Sequence, residues 1–309
     1  MEGAKVSVIV PAKGLADYLE KCITSLIDLD YPNFEIIVVD DGLSIRAKNI
    51  LTNYGAKIRI LDSGLKGPSY CRNMAVKESD AEYIAFTDSD CILDKFWLKE
   101  LIRGFQLYPD AVGVGGTQGL PKDASKFEER VFLFMKKSGF ITDYMRKTKS
   151  NIIKEVKHNA SCNVMYKREI FLKEQGFLEG LWPGEDVELD YRLRKKGYKL
   201  FFNPKALIFH HRPKDLNSFL KMMYRYGWAQ GFLVRRYGFF RSIQILPFLS
   251  LLIIGLMAFS IISNFFVALI LALTLLLFCY FKANIFLLTL ALLAFAFWNL
   301  GFLKGLLKT

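Results

Sequence analysis

Five short stretches of this sequence carry residues whose type and spacing could do chemistry. The apolar, β-prone run Tyr83-Ile84-Ala85-Phe86 ends in Thr87-Asp88-Ser89-Asp90, two carboxylates one residue apart. In an open α/β sheet, ligands sit outside the carboxyl ends of the strands, so acids placed there face a crevice. A pair at i and i+2 suits a hard divalent cation, Mg2+ or Mn2+, that keeps waters and phosphate oxygens as its other ligands. The same residues also make an ordinary turn. Asp40-Asp41-Gly42 closes a second such run, where a carboxylate can cap a turn or accept a base N–H or a ribose hydroxyl. Gly64-Leu65-Lys66-Gly67-Pro68-Ser69 leads into a helix, with Lys66 and Arg72 nearby. Glycines and cations before a helix N-terminus suit an anionic diphosphate, although this spacing is not that of a P-loop. Gly184-Glu185-Asp186 opens another helix, where acids cap and stabilise the first turn. His210-His211 closes a late strand; neighbours on an extended segment point to opposite sides, so at most one can meet a metal.

The elements that must position these residues alternate in type. Val6–Pro11 reads as a buried parallel strand, and Leu19, Cys22, Ile23, Leu26 and Ile27 follow at helical spacing. Phe34–Val39 is the next strand, completing a βαβ unit of the usual right-handed kind. Further strands are expected at Lys57–Leu61, Tyr83–Phe86, Gly113–Thr117, His158–Tyr166, Lys199–Pro204 and Ala206–Phe209. Lys126 to Lys149 is basic and aromatic, and reads either as a surface helix with one face on the core or as an acceptor-side element near lipid. His158 reads as structural.

The ordered set Val6-Ser7-Val8-Ile9-Val10-Pro11, Val38-Val39-Asp40-Asp41-Gly42, Gly67-Pro68-Ser69-Tyr70-Cys71-Arg72-Asn73 and Phe86-Thr87-Asp88-Ser89-Asp90 resembles the family 2 glycosyltransferases of GT-A fold. The likeness covers essentially Val6 to Pro213, and Gly184-Glu185-Asp186 with the Glu-Leu and Arg-Leu after it matches the acceptor-site motif of that family. The resemblance implies an α/β, Rossmann-like, mixed and mostly parallel sheet. It implies that Asp40 holds the nucleotide base, that Arg72 and the loop before it lie near the diphosphate, and that Pro11, Lys66, Asp88 and Asn163 also contact the donor. Asp90, helped by Asp88 and with His210 as third ligand, would hold Mn2+ or Mg2+; Asp186 would be the general base and Glu185 would place the acceptor. Inverting transfer needs one such base, contributing ~10²–10⁴-fold, and a metal stabilising the departing diphosphate. Processive members usually carry Gln-x-x-Arg-Trp, where this chain reads Tyr224-Arg225-Tyr226-Gly227-Trp228, so transfer of a single sugar is expected. A polyprenyl-phosphate sugar synthase and a catalytically silent membrane scaffold are the alternative readings.

The chain has 309 residues and a formal charge of +12, and the charge is unevenly spread. From Ile243 to Leu303 the only charged side chain is Lys282. Phe219 to Arg241 interleaves aromatics with Lys221, Arg225, Arg235, Arg236 and Arg241, which suits a helix in the headgroup region of a membrane. Three apolar runs follow, Ile243–Ile262, Phe265–Phe281 and Ile285–Leu303, each near the ~20 residues that cross a bilayer. The expected organisation is a catalytic domain at 1–215, an interfacial segment at 216–241 and about three transmembrane helices at 242–309. The basic residues before the first run place the catalytic domain on the cytoplasmic side of a multi-pass protein. No nucleic-acid module is visible, so the basic balance is read as attraction to lipid rather than to nucleic acid. The five cysteines are scattered without a CxxC pair, which fits a reducing compartment. The expected partners are a nucleotide-diphosphate sugar donor and a lipid-linked or glycan acceptor.

Overall fold

Val6, Val8, Ile9 and Val10 have no exposed surface, because the strand they form is hydrogen-bonded on both edges. The computed structural model describes residues 3–14, 18–138, 152–249 and 284–307, with positions 252, 270, 273, 274 and 276. Most of the first and second expected apolar runs and the end of the Lys126–Lys149 segment lie outside the described residues.

Nine strands form one sheet: β1 (Val6–Gly14), β2 (Phe34–Leu43), β3 (Arg59–Asp62), β4 (Tyr83–Phe86), β5 (Cys91–Leu93), β6 (Ala111–Gly119), β7 (Lys154–Val156), β8 (Val164–Lys167) and β9 (Lys199–His210). Their order is β3-β2-β1-β4-β8-β6-β9-β5, with β7 also pairing β9. The pairings β1/β2, β1/β4, β2/β3 and β6/β9 are parallel, and those of β8, β5 and β7 are antiparallel. Six strands therefore run one way and three the other, the mixed and mostly parallel sheet that was expected. Strands running toward one edge deliver their last residues there, as β2, β4 and β9 do with Asp40, Asp88 and His210. Strands running away deliver their first, as β5 and β8 do with Cys91 and the residues before Val164.

The helices follow the apolar periodicity. In α1 (Leu19–Ile27) the enclosed side chains are Leu19, Cys22, Ile23 and Leu26, and α2 (Ile45–Thr52) is capped by Ser44, whose hydroxyl accepts the Ala47 N–H. After α3 (Pro68–Lys77), α4 (Trp97–Leu107) and α5 (Lys126–Ser138) come α6 (Arg168–Lys173) and α7 (Glu185–Lys195), the latter entered through Gly184 at φ +104°. Such a positive φ is available to glycine at little cost.

Two expected strand assignments change. Lys199–Pro204 and Ala206–Phe209 are one strand, bulged where the register jumps from Gly116↔Asn203 to Thr117↔Leu207. Pro204 has no N–H for the ladder, and a Cβ on Gly116 would lie 1.9 Å from the Ala206 carbonyl oxygen, so the bulge needs both residues. His158–Tyr166 is strand only from Val164. The amides of Asn159 and Ser161 donate to the Asp190 and Asp186 carboxylates, and Asn163 N donates to Ala160 O in a turn.

The chain divides into two units, one of 1–124 with 141–211 and one of 125–140 with 212–309. The second takes in α5 together with the chain from 212. It also holds α8 (Leu216–Tyr237) and α9 (Ile285–Leu307). In α5, Phe134 meets Phe219 of α8 edge-on at 5.6 Å, and Arg130 lies over the Phe286 ring of α9 at 4.2 Å. The apolar face of α5 is thus spent on α8 and α9. Helices α8 and α9 approach closely along Gly227 and Gly231 on one and Gly301 and Gly305 on the other. A Cβ at any of these four would fall 1.9–2.0 Å from a carbonyl oxygen of the facing helix. Small residues four apart are the usual device for such contact between apolar helices.

Candidate active site

Asp88 and Asp90 lie just beyond β4, and His210 ends β9 at the same edge of the sheet. One ligand atom from each falls within 4.8 Å of the other two. His210 Nε2 is 3.3 Å from Asp90 Oδ1, and its Nδ1 is 3.2 Å from Gln118 Oε1 at the end of β6. An amide oxygen only accepts, so Gln118 assigns the ring proton to Nδ1 and leaves the Nε2 lone pair aimed at Asp90. Two acceptors at that distance need a shared proton or a cation. Two carboxylates and an imidazole are a donor set for Mn2+ or Mg2+. The structure therefore brings together all three sequence-expected metal ligands.

Arg72, on α3, is 1% exposed and joins this group to a second one. Its Nη2 donates to Asp88 Oδ1 at 2.6 Å and its Nη1 to Glu185 Oε1 at 2.9 Å. Burial works against the guanidinium charge, but the two carboxylates more than offset it. Arg72, expected beside a diphosphate, gives one hydrogen from each terminal nitrogen to a carboxylate. Its role here is to tie α3, the Asp88 turn and the start of α7 together.

Glu185 and Asp186 open α7. Ser161 supports both, its hydroxyl donating to Glu185 Oε1 at 2.9 Å and its amide to Asp186 Oδ2 at 3.0 Å. Glu185 is enclosed, and burial together with the Asp186 charge pushes its carboxyl up to about 8 despite Arg72. Asp186 keeps 16% of its side chain exposed, so it is the member of the pair that an incoming molecule can touch. Behind it runs a buried chain: Tyr166 OH donates to Asp190 Oδ1 at 2.7 Å, and Asp190 Oδ2 meets His158 Nδ1 at 3.0 Å. His158 Nε2 stands 4.0 Å from Asp186 Oδ2. Burial raises the Asp190 carboxyl above its ordinary value, with His158 and Asn159 N opposing.

The expected donor residues lie at the ends of β1 and β2 and the start of α3. Asp40 Oδ1 accepts the amides of Gly42 and Leu43 at 2.8 and 2.7 Å, and its Oδ2 pairs with Lys48 at 2.8 Å. Burial opposes its charge, but these donors prevail and hold the carboxyl below the usual range. Asp41 accepts from Ser63 Oγ and from Gly67 N, which fixes the loop before α3. Pro11 is buried on β1, opposite Val39. Lys66 remains exposed, its Nζ 3.2 Å from Tyr70 OH. Asn163 lies among β6, β9 and α4. It is 1% exposed, its Nδ2 donates to Thr117 O and Ala206 O, and its Oδ1 accepts from Trp97 Nε1. With both amide hydrogens used, it clamps β6, β9 and α4.

Sequence reasoning missed Gln118, Ser161 and Asp190, and it set His158 aside. None lies in a spaced motif; each acquires meaning only from what it touches.

The family model described as "Glycosyl transferase family 2" matches residues 7–173. A curated relative from Methanococcus voltae, dolichyl N-acetyl-alpha-D-glucosaminyl phosphate 3-beta-D-2,3-diacetamido-2,3-dideoxy-beta-D-glucuronosyltransferase, is 25% identical over 272 residues, 82% of this chain and 83% of its own length. Glycosyltransferase AglE of Haloferax volcanii is 26% identical over 244 residues, 73% of this chain and 72% of that protein. Among solved structures, a mannosyltransferase from Pyrobaculum calidifontis in complex with GDP-Man and Mn2+ superposes with a TM-score of 0.71 at 16% identity. The match covers 98% of this chain and 87% of that one. At that identity the likeness bears on the fold, which is GT-A. With the family match spanning more than half of its length, the chain belongs to glycosyl transferase family 2.

Proposed function

We propose that this glycosyltransferase is membrane-anchored, metal-dependent and inverting, and that it moves one sugar from a nucleotide-diphosphate sugar to a hydroxyl of a lipid-linked or glycan acceptor at the cytoplasmic face. The observation that carries the reading is Arg72, whose two hydrogen bonds connect the Asp88/Asp90/His210 group to the Glu185/Asp186 pair. Asp88, Asp90 and His210 would hold the cation, which supplies Lewis-acid stabilisation of the leaving diphosphate when bound. Asp186 takes the proton from the acceptor hydroxyl. The freed oxygen attacks the anomeric carbon from the face opposite the diphosphate, and the glycosidic C–O bond to phosphate breaks with its electron pair on the phosphate oxygen. The Ser161 amide holds Asp186 in place, Glu185 beside it places the acceptor, and Asp190, through His158, backs Asp186 with a buried polar chain. A lipid-linked saccharide acceptor is supported by the name of the M. voltae relative, a transferase acting on a dolichyl-linked amino sugar. A base placed for a hydroxyl favours this over transfer to a bare polyprenyl phosphate.

The test is a screen of nucleotide sugars with the purified full chain in detergent, with and without Mn2+ or Mg2+, on lipid-linked saccharide and on polyprenyl phosphate. Transfer should require the metal and the saccharide. Asp186→Asn should lower turnover by ~10²–10⁴-fold while leaving donor binding intact. Unchanged turnover in that variant would remove Asp186 from the mechanism, and transfer to polyprenyl phosphate alone would overturn the acceptor assignment.

A further inference from the structure

His210 has a second set of neighbours that the transfer chemistry does not use. Cys91 opens β5 and pairs with His210 across the β5/β9 ladder. Cys162 immediately precedes Asn163, the residue clamped by Trp97, Thr117 and Ala206. Both cysteines are free thiols, 0% and 5% exposed. One ligand atom each from Cys91, Cys162 and His210 lies within 4.8 Å of the others, and Cys162 Sγ is 3.6 Å from His210 Nδ1. We propose that Cys91, Cys162 and His210 Nδ1 form a site for a thiophilic divalent cation such as Zn2+ or Cd2+, and that its occupation excludes the hard cation from the Asp88/Asp90/His210 group.

The Cys162–His210 spacing fits such an ion. Tetrahedral zinc with Zn–S near 2.3 Å and Zn–N near 2.0–2.1 Å sets its ligands about 3.6 Å apart for sulfur and nitrogen and about 3.8 Å for two sulfurs. Two sulfurs and an imidazole select soft or borderline cations, whereas carboxylates and water suit Mn2+ and Mg2+. Ligands carried on paired strands and on a clamped turn need little rearrangement. The protein supplies three ligands, the number that leaves a fourth position open. His210, 17% exposed, is the point of entry.

Exclusion follows from the imidazole. Nδ1 lies against the Gln118 oxygen, which accepts its proton in the neutral ring, and Nε2 is the nitrogen facing Asp90. A cation on Nδ1 displaces that proton, and the neutral ring then carries its hydrogen on Nε2. The nitrogen aimed at Asp90 becomes a donor and cannot bind Mn2+. One neutral ring therefore serves one cation at a time, and the antagonism must be reciprocal. The thiol site stands without the proposed transfer mechanism; only the exclusion rests on the Asp88/Asp90/His210 site.

The full chain, purified in detergent and stripped of metal, is titrated with Cd2+ while the thiolate-to-cadmium ultraviolet absorption is followed. One equivalent should develop that absorption, and Cys162→Ser and Cys91→Ser should each lose it. Bound Mn2+ is read separately by electron paramagnetic resonance. Cd2+ should weaken Mn2+ binding about 10-fold or more in the wild type and not at all in Cys162→Ser. Each variant's Mn2+ affinity without Cd2+ reports that it has folded, and Cys162→Ala and Cys91→Ala replace any that fails. Absorption surviving in both cysteine variants would place the ion on other thiols and overturn the site. Thiolate absorption with Mn2+ binding unmoved would overturn the exclusion. A wild type that develops the absorption but binds no Mn2+ would count against the metal-dependent mechanism and leave the thiol site intact.

Discussion

Enclosing a guanidinium costs several kcal/mol of desolvation, which is recovered only when its hydrogens meet carboxylates in good geometry. Arg72 meets two, at 2.6 and 2.9 Å, and neither could be named from its place in the chain. Glu185 lies 113 residues away, and nothing in the spacing of Gly67 to Asn73 records that distance. The individual acids were legible because strand ends are recognisable from apolar runs; their wiring was not. The same holds for Gln118, one glutamine at the end of a glycine-rich strand, which matters because its oxygen fixes the His210 tautomer. Glu185 gives a prediction at this scale. Its carboxyl titrates near 8 in the folded chain, mainly through burial and then Asp186, against about 4.3 for an unfolded glutamate. The folded state therefore binds a proton that the unfolded state has lost. The stability this brings is fully present below the unfolded value and disappears as pH rises through about 8. Thermal unfolding of the metal-free protein should show a melting temperature falling between about pH 5 and pH 8.5, with Glu185→Gln flattening the slope. Equal slopes in the two proteins would return Glu185 to the ordinary carboxylate range.

Elements were read from the sequence where side chains repeat with a clear period, and less well where a backbone group finds an unusual partner. The βαβ start was legible because Val6–Val10 and Leu19–Ile27 are apolar at the right intervals. The stretch before Val164 looked equally strand-like, but carboxylates on α7 take its amides, and no local pattern announces that. The glycines of α8 and α9 are the clearest case at this scale. Alanine is favoured over glycine in a helix by about 1 kcal/mol, so Gly→Ala at an open position should stabilise. At Gly301 a Cβ would meet the Tyr224 carbonyl oxygen at 2.0 Å, and at Gly305 that of Trp228 at 2.0 Å. Backbone atoms cannot rotate away, so the helices must separate. Gly301→Ala and Gly305→Ala should each cost about 1–3 kcal/mol, the range for overpacking a close contact, measured by unfolding in detergent. A gain in stability in either variant would show that the two helices do not touch along this line.

At the scale of the whole chain, polarity and charge are segregated along the sequence. Helix α9 has 23 residues, with an 18-residue stretch of mean hydropathy 2.1, and exposes Ile285, Leu292, Leu300 and Leu307. At 1.5 Å per residue it reaches about 34 Å, enough for a hydrocarbon core of about 30 Å. It is the one helix of that length and composition among the described residues. Helix α8 ends in Arg235 and Arg236, cations that lose most on entering hydrocarbon and that gather on the cytoplasmic side of membranes. The net charge of +12 acts in the same direction, since anionic lipid attracts each surface cation by about 1 kcal/mol. An apolar helix inserted in the bilayer resists alkaline extraction, whereas a protein held by charge alone is released by it. The full chain should therefore stay with the membrane fraction in alkaline carbonate and leave it only with detergent. Orientation is separable from anchoring by protease added to cells whose outer barriers have been removed. The unit carrying Asp90, Asp186 and His210 should survive intact until the membrane is permeabilised, and then be cut. Digestion before permeabilisation would place that unit outside, where no cytoplasmic nucleotide sugar could reach it, and the cytoplasmic assignment would fall even with the helix embedded.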